Sequence, residues 1–131
     1  MQSPYPWFAT FAFALLLIGF AVRHSRRDLH VGLMCGGMGL DLIIVALLEF
    51  GRDAVATASG PGLSPYQQAH VAASTLAVLF YFPVFVLGFL RWRTPGSASH
   101  SLRTWHRRLG YCALACRAVG FAFMFSMLGR G

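Results

Sequence analysis

Two histidines and two charged residues stand at matched positions in otherwise apolar stretches of the sequence. His30 is followed eleven residues later by Asp41, and His106 is followed eleven residues later by Arg117. On an α-helix, eleven residues return to within about 20° of the starting face and advance about 16 Å. If both stretches form helices that start from the same side, the two imidazoles share one level and the two charges share another.

The two levels suggest different chemistry. Imidazoles on facing helices can supply the two axial nitrogens of a six-coordinate haem iron, or serve a smaller metal if further ligands join. A lone charge at the centre of a bilayer costs about 2.5–3.5 kcal/mol, so opposite charges at one depth favour pairing. We therefore predict an intramembrane Asp41–Arg117 ion pair. Two roles for this ion pair are equally compatible with the sequence. It could be structural and fix the orientation of the helices, or functional, for example by anchoring a haem propionate or relaying protons.

The elements that must position these residues are four apolar runs, predicted as helices at about 6–23, 29–50, 67–91 and 104–128. Apolar residues make up 56% of the chain and charged residues 11%, against roughly 45–50% and 25% in soluble domains. Each run approaches the roughly 20 residues that a helix needs to cross a bilayer. We therefore predict an all-α integral membrane protein in which residues 1–131 form a single transmembrane domain.

Short links join these runs, and short links between helices make consecutive helices antiparallel. The sequence thus predicts an up-down-up-down four-helix bundle. In such a ring the second and fourth helices lie diagonally across the core, which allows His30 and His106 to face each other. Pro83 falls inside the third run, where membrane helices tolerate proline as a kink.

The basic residues predict the orientation of the bundle. All eleven are arginine, and the net charge is +7. Eight flank the first and third links, and two, Arg52 and Arg130, lie on the other side. Since arginine is enriched in cytoplasmic loops, we expect both termini and the second link to lie outside, in a bacterial inner membrane. The eight are Arg23, Arg26, Arg27, Arg91, Arg93, Arg103, Arg107 and Arg108.

Other chemistry is less well supported by the residue pattern. His70 begins the third run, where Glu49 could reach it, so a single-histidine haem or a copper contact is a weaker alternative. No nucleophile–base pair, phosphate loop or paired carboxylates are present, so we do not expect an enzyme. The arginines flank apolar runs rather than forming a stripe with aromatic residues, which argues against nucleic acid. The three cysteines have no C-x-x-C spacing and are expected to be buried apolar residues.

Four short motifs stand out along the chain: His30-Val-Gly-Leu-Met34, His70-Val-Ala-Ala-Ser-Thr75, Gly88-Phe-Leu-Arg91 and His106-Arg-Arg-Leu-Gly110. In this order they resemble a family of small bacterial membrane proteins of the CtaM type, which is implicated in the biogenesis of haem–copper cytochrome oxidases. The similarity covers about residues 27–128. The resemblance implies a membrane helper for oxidase maturation, with His30, His70 and His106 as candidates for handling haem or metal. Asp41 and Arg117 are not part of that pattern.

A second interpretation needs no cofactor. Twelve phenylalanines and a G-x-x-x-G motif at Gly32 and Gly36 suit close lateral packing of helices. The chain would then be an accessory subunit of a larger respiratory or photosynthetic membrane complex, in which the histidines only form hydrogen bonds.

Overall fold

The described residues of the chain, in a computed structural model, form four α-helices. They comprise residues 4–52, 56, 60–94, 96 and 99–128. The helices are α1 (Tyr5–Ala21), α2 (Arg27–Arg52), α3 (Pro65–Arg93) and α4 (His100–Leu128). Within those residues no strand occurs. The prediction of an all-α chain with four helices is confirmed. Arg130 and both chain ends, which entered the prediction of orientation, lie outside the described residues.

Two serine caps set the starts of α3 and α4. The Ser64 hydroxyl accepts a hydrogen bond from the backbone N–H of Gln67, and the Gln67 side chain accepts one from the Ser64 N–H. This capping box, followed by Pro65 at the first helical position, is a strong helix start. Ser99 likewise accepts from the N–H of Leu102 at 3.1 Å. Both helices therefore begin a few residues before the predicted starts at 67 and 104.

Three helices, α2, α3 and α4, are long and apolar enough to cross a membrane. Helix α1 is apolar but has 17 residues, which corresponds to about 25 Å at a rise of ~1.5 Å per residue. This is somewhat less than the roughly 30 Å thickness of a hydrocarbon core. The helix ends at Ala21 rather than at the predicted 23, and the Arg23 guanidinium then donates to the Phe20 carbonyl at 2.8 Å.

Packing divides the helices into two hairpins. Helix α1 packs closely on α2, and α3 packs closely on α4. Contacts between the hairpins are sparser and run mainly from α1 to α4 and from α2 to α3. The boundary between the α1–α2 hairpin and the α3–α4 hairpin is therefore the least tightly packed part of the fold.

Small side chains fill the interior and large apolar side chains cover the outside. Four of the nine buried apolar residues in the described part of the chain are alanines, and two of these, Ala77 and Ala113, belong to the same core cluster as Leu16. Phe50 is 90% exposed, Trp7 72% and Phe82 60%. A soluble protein of this size rarely exposes such an apolar surface, whereas a lipid environment suits it and leaves small residues to mediate helix packing.

The expected burial of the cysteines is wrong for two of the three. Cys35 and Cys112 are exposed, and Cys116 is half-buried. Helices that are apolar all round do not reveal from sequence which face is turned to the core, because lipid-facing and core-facing positions are both apolar.

Candidate functional site

The centre of the bundle holds the ion pair predicted from spacing. Arg117 Nε lies 2.8 Å from Asp41 Oδ2, and Arg117 Nη2 lies 3.1 Å from Asp41 Oδ1. The two side chains are 7% and 8% exposed. This is a two-point contact between guanidinium and carboxylate, the strongest form of such a pair. The helical periodicity that placed both residues at one level is thus matched by direct contact between α2 and α4.

Two further groups complete this centre, and the sequence did not predict either. The Tyr81 hydroxyl of α3 donates to Asp41 Oδ2 at 2.5 Å. Arg117 Nη2 also donates to the Ala9 carbonyl of α1 at 3.1 Å. All four helices therefore contribute to one network. A tyrosine inside an apolar run was the only available signal, since a buried hydroxyl needs a partner.

His30 is held by the end of α1. Its Nδ1 lies 2.7 Å from the carbonyl oxygen of Gly19. A carbonyl can only accept, so Nδ1 carries the proton and donates. Gly19 lies in the last turn of α1, where carbonyl groups lack the usual N–H donor four residues on. The histidine therefore completes the helix end as well as fixing its own ring.

His106 is held in the same way by the middle of α3. Its Nδ1 lies 3.2 Å from the Val84 carbonyl, to which it donates. The ring rests over Gly88, where a Cβ atom would come within 2.8 Å of His106 Cε1. The glycine is needed because any side chain there would displace the imidazole. Gly88 and His106 each begin one of the motifs noted in the sequence. The contact between them could not be predicted from the sequence.

The two imidazoles share a chemical state and lie at the same end of the bundle. In a neutral ring with the proton on Nδ1, Nε2 keeps a lone pair. Within the described part of the chain, no group hydrogen-bonds Nε2 of His30 or His106. Neither nitrogen is fully enclosed, since no fully buried polar side-chain atom there lacks a partner. Met34, one turn after His30, and Gly110, one turn after His106, line the same cavity, so the two rings lie at the same end of the bundle. Two nitrogen donors are therefore left uncommitted at one end of the bundle.

A small apolar cavity lies next to this level. Its volume is about 20 Å³, room for roughly one water molecule. A Cβ atom added at Gly110, one turn after His106, would meet nothing within 4 Å. The Nε2 atoms of His30 and His106 are of the donor type that a haem iron takes. The cavity is too small for a macrocycle, so the surrounding helices would have to separate to admit one. The cavity is lined by Leu16, Met34, Met38, Tyr81, Val84, Gly110, Ala113 and Leu114.

His70 belongs to a different level. Its Nδ1 donates to the Gly120 carbonyl of α4 at 2.7 Å. Gly120 follows His106 by 14 residues, or about 21 Å along the helix. The structure therefore places His30 and His106 at one end of the bundle and His70 at another level. The hydrogen bond of His70 runs to α4 rather than to Glu49 of α2, with which the sequence analysis associated it.

A small-metal site needs more ligands than this end provides. Among the residues that the structure describes, no group of three or more histidine, cysteine or acidic side chains converges on one point. Structural and catalytic metal sites use three or four protein ligands, whereas a haem iron takes two. The copper alternative through His70 and Glu49 stays a prediction.

Comparison of the chain with known protein families, with curated proteins and with solved structures finds no match. The resemblance to the CtaM type therefore stays a prediction.

Proposed function

We propose that the protein crosses a bacterial inner membrane as an up-down-up-down four-helix bundle and binds haem through His30 and His106. It would serve respiratory electron transfer or the biogenesis of a haem–copper oxidase, without enzymatic activity of its own. One observation carries the haem proposal: two imidazoles at the same end of the bundle each donate Nδ1–H to a backbone carbonyl, and no residue that the structure describes hydrogen-bonds their Nε2 atoms.

The membrane part of the proposal is supported by the distribution of polarity. The charged centre at Asp41 and Arg117 is buried, while the outward side chains are largely apolar. Three helices have the length of a span. Helix α1 can cross with its flanking residues, because its arginine end can reach the headgroups and a bilayer thins locally around a short span. The arginine bias supports both termini outside.

The hydrogen bonds of the two histidines are those that metal-binding imidazoles require. A carbonyl that accepts from Nδ1 fixes the tautomer, holds the ring plane and raises the basicity of Nε2. Haem would supply one-electron redox chemistry, and His30 and His106 would hold its iron. Gly88 keeps the His106 ring in place, and the Gly19 carbonyl keeps the His30 ring in place.

The two histidines lie on different hairpins, and this determines where a ligand can enter. His30 is fixed within the α1–α2 hairpin, since its partner is Gly19. His106 is fixed within the α3–α4 hairpin, since its partner is Val84. Separation of the hairpins at the histidine end alone, with the Asp41–Arg117 network still joining them at the centre, would therefore leave both hydrogen bonds intact and widen the space between the rings.

The haem proposal is tested by titrating the purified protein with haemin in detergent and recording oxidised and reduced spectra. Wild type is expected to develop a Soret band that shifts on reduction with dithionite. His106→Ala and His30→Ala should each abolish it, while His100→Ala, at the exposed start of the same helix α4, should keep it. A wild-type protein that gives only the spectrum of free haemin overturns the proposal.

The oxidase role is tested in cells. Membranes from a strain that lacks the protein should contain less assembled haem–copper oxidase, measured by reduced-minus-oxidised spectra. The wild-type gene and His100→Ala should restore it, and His106→Ala should not. Full oxidase content in the deletion strain would leave electron transfer as the role of a bound haem.

A second candidate, the cofactor-free accessory subunit, is favoured by a separate observation. Gly32 is exposed on α2, and a Cβ atom there would meet nothing within 4 Å; at Gly36 the nearest contact is 3.9 Å away. This glycine face is thus open to a helix of another subunit. For this candidate, Gly36→Leu should release the chain from a respiratory or photosynthetic complex on native gels, while His106→Ala should leave the activity of that complex intact.

A further inference from the structure

Guanidinium groups from three helices converge at the end of the bundle that carries His30 and His106. Arg27 Nη2 of α2 donates to the backbone carbonyl of Arg91, at the end of α3, at 2.6 Å. The ring of His106 rests on Gly88, one turn before Arg91, so Arg107, the next residue of α4, and Arg103, one turn earlier, lie at the level of Arg91. The charges of Arg103, Arg107 and Arg27 all act on Arg91. These four residues, Arg27, Arg91, Arg103 and Arg107, form what we call the arginine cluster.

The arginine cluster has no carboxylate to balance it. Asp28 is the only acidic residue in the two stretches of sequence, 23–30 and 91–108, that build this end. In the described part of the chain, no member of the cluster forms a salt bridge. Arg117, in contrast, is fully paired with Asp41. Like charges from separate helices are thus held together without an internal counter-charge, an arrangement that an external anion stabilises.

Exposed aromatic side chains flank the arginine cluster and indicate its depth. Trp92, beside Arg91, is 46% exposed, and Trp105, between Arg103 and Arg107, is 55% exposed. Tryptophan is enriched at the level of lipid headgroups, where its ring is partly apolar and its N–H is wet. Phospholipid phosphates lie at the same level, so the anion closest to the cluster is a lipid phosphate rather than a solute.

We propose that the arginine cluster binds the phosphate of an anionic phospholipid headgroup and so links α2, α3 and α4. Guanidinium groups bind phosphate by paired hydrogen bonds, and basic pockets between membrane helices bind lipids of this class. The bound headgroup spans the boundary between the two hairpins, because Arg27 lies on one and the other three lie on the other. This proposal rests on the membrane placement proposed above and is independent of haem.

The test is the thermal stability of the purified, delipidated protein in a neutral detergent. Cardiolipin or phosphatidylglycerol should raise the melting temperature of wild type, whereas phosphatidylcholine and inorganic phosphate should not. The variant Arg103→Gln/Arg107→Gln should need more than about tenfold more anionic lipid for the same rise. The control Arg93→Gln/Arg108→Gln loses the same number of positive charges at the same end, but outside the arginine cluster, and should respond as wild type does.

Three outcomes overturn the proposal: an equal response to phosphatidylcholine, an equal response to inorganic phosphate, or an equal loss in the control variant. The last would mean that diffuse positive charge, rather than the arginine cluster, attracts lipid. If the double variant fails to fold, native mass spectrometry of wild type with equimolar cardiolipin and phosphatidylcholine decides. Preferential retention of cardiolipin supports the site, and equal retention overturns it. Haemin titration of the same samples reports on the haem proposal separately.

Discussion

The centre of the bundle and its histidine end use polar side chains in opposite ways. At the centre, Asp41, Arg117 and Tyr81 satisfy one another, and the Ala9 carbonyl takes a remaining guanidinium donor. At the other level, His30 and His106 each use one nitrogen, and the second has no hydrogen-bond partner among the residues that the structure describes. A closed set of partners holds helices in register, whereas an open set has capacity for a ligand. The comparison favours a structural role for the centre and is consistent with the binding role proposed for the histidine end.

The largest loss of stability is expected when one partner of the central ion pair is removed. Asp41→Leu leaves the Arg117 guanidinium buried without its counter-charge, which costs about 3–5 kcal/mol of the free energy of unfolding. The measurement is denaturant or thermal unfolding in detergent. The double variant Asp41→Leu/Arg117→Leu removes both charges and should recover most of the loss. If the single variant is as stable as wild type, the centre does not hold the helices together.

A smaller loss is expected for Tyr81→Phe. The ring is kept, and only the hydrogen bond to the Asp41 carboxylate is removed, so the free energy of unfolding should fall by about 1.5–3 kcal/mol. Tyr111→Phe, at an exposed tyrosine of α4, is the matched control and should change little. Haem uptake by Tyr81→Phe should remain as in wild type, since the hydroxyl belongs to the central ion-pair network and not to the histidine end.

Gly88→Ala tests the histidine end without removing a donor. The added Cβ meets His106 Cε1 at 2.8 Å and Nδ1 at 3.3 Å, so the ring has to shift away from the Val84 carbonyl. Overpacking of this kind typically costs about 1–3 kcal/mol, and haemin affinity should fall with it. Gly32→Ala, at a helical glycine with open space around it, should keep both stability and affinity. An unchanged haemin titration for Gly88→Ala would show that the ring position is unimportant for binding.

The smallest effect is expected for His70→Ala. It removes one hydrogen bond between α3 and α4, to the Gly120 carbonyl, worth about 0.5–1.5 kcal/mol. Haemin titration should be unchanged, because His70 lies at another level. Loss of the Soret band in this variant would contradict this expectation and show that haem binding needs His70, as the family resemblance implies.

Sequence periodicity was sufficient for some of these features. The spacing from His30 to Asp41 and from His106 to Arg117 fixes both face and depth on a helix, so the ion pair of Asp41 and Arg117 could be predicted. Hydrophobic run lengths located the four helices to within a few residues. The start of α4 was placed late because Ser99, the residue that caps it, stands in a polar link with several alternative caps.

Other features depend on how the helices meet. The partners of the histidines are backbone carbonyls at Gly19, Val84 and Gly120, and every residue has a carbonyl, so no residue type marks them. The exposure of Cys35 and Cys112 is equally hidden in helices that are apolar on all faces. Such properties follow from the rotation of each helix about its axis, which the residue pattern leaves open.

The sequence by itself determined the helical class, the apolar character and the levels of the polar residues, because these follow from local composition and a period of 3.6 residues. Only the tertiary structure decided which groups meet at each level. It placed Tyr81 on Asp41, separated His70 from the other two histidines and gathered arginines from α2, α3 and α4. The physical reason is that contacts between helices depend on rotation and offset, which small interior side chains such as Gly37 and Ala77 set by close packing.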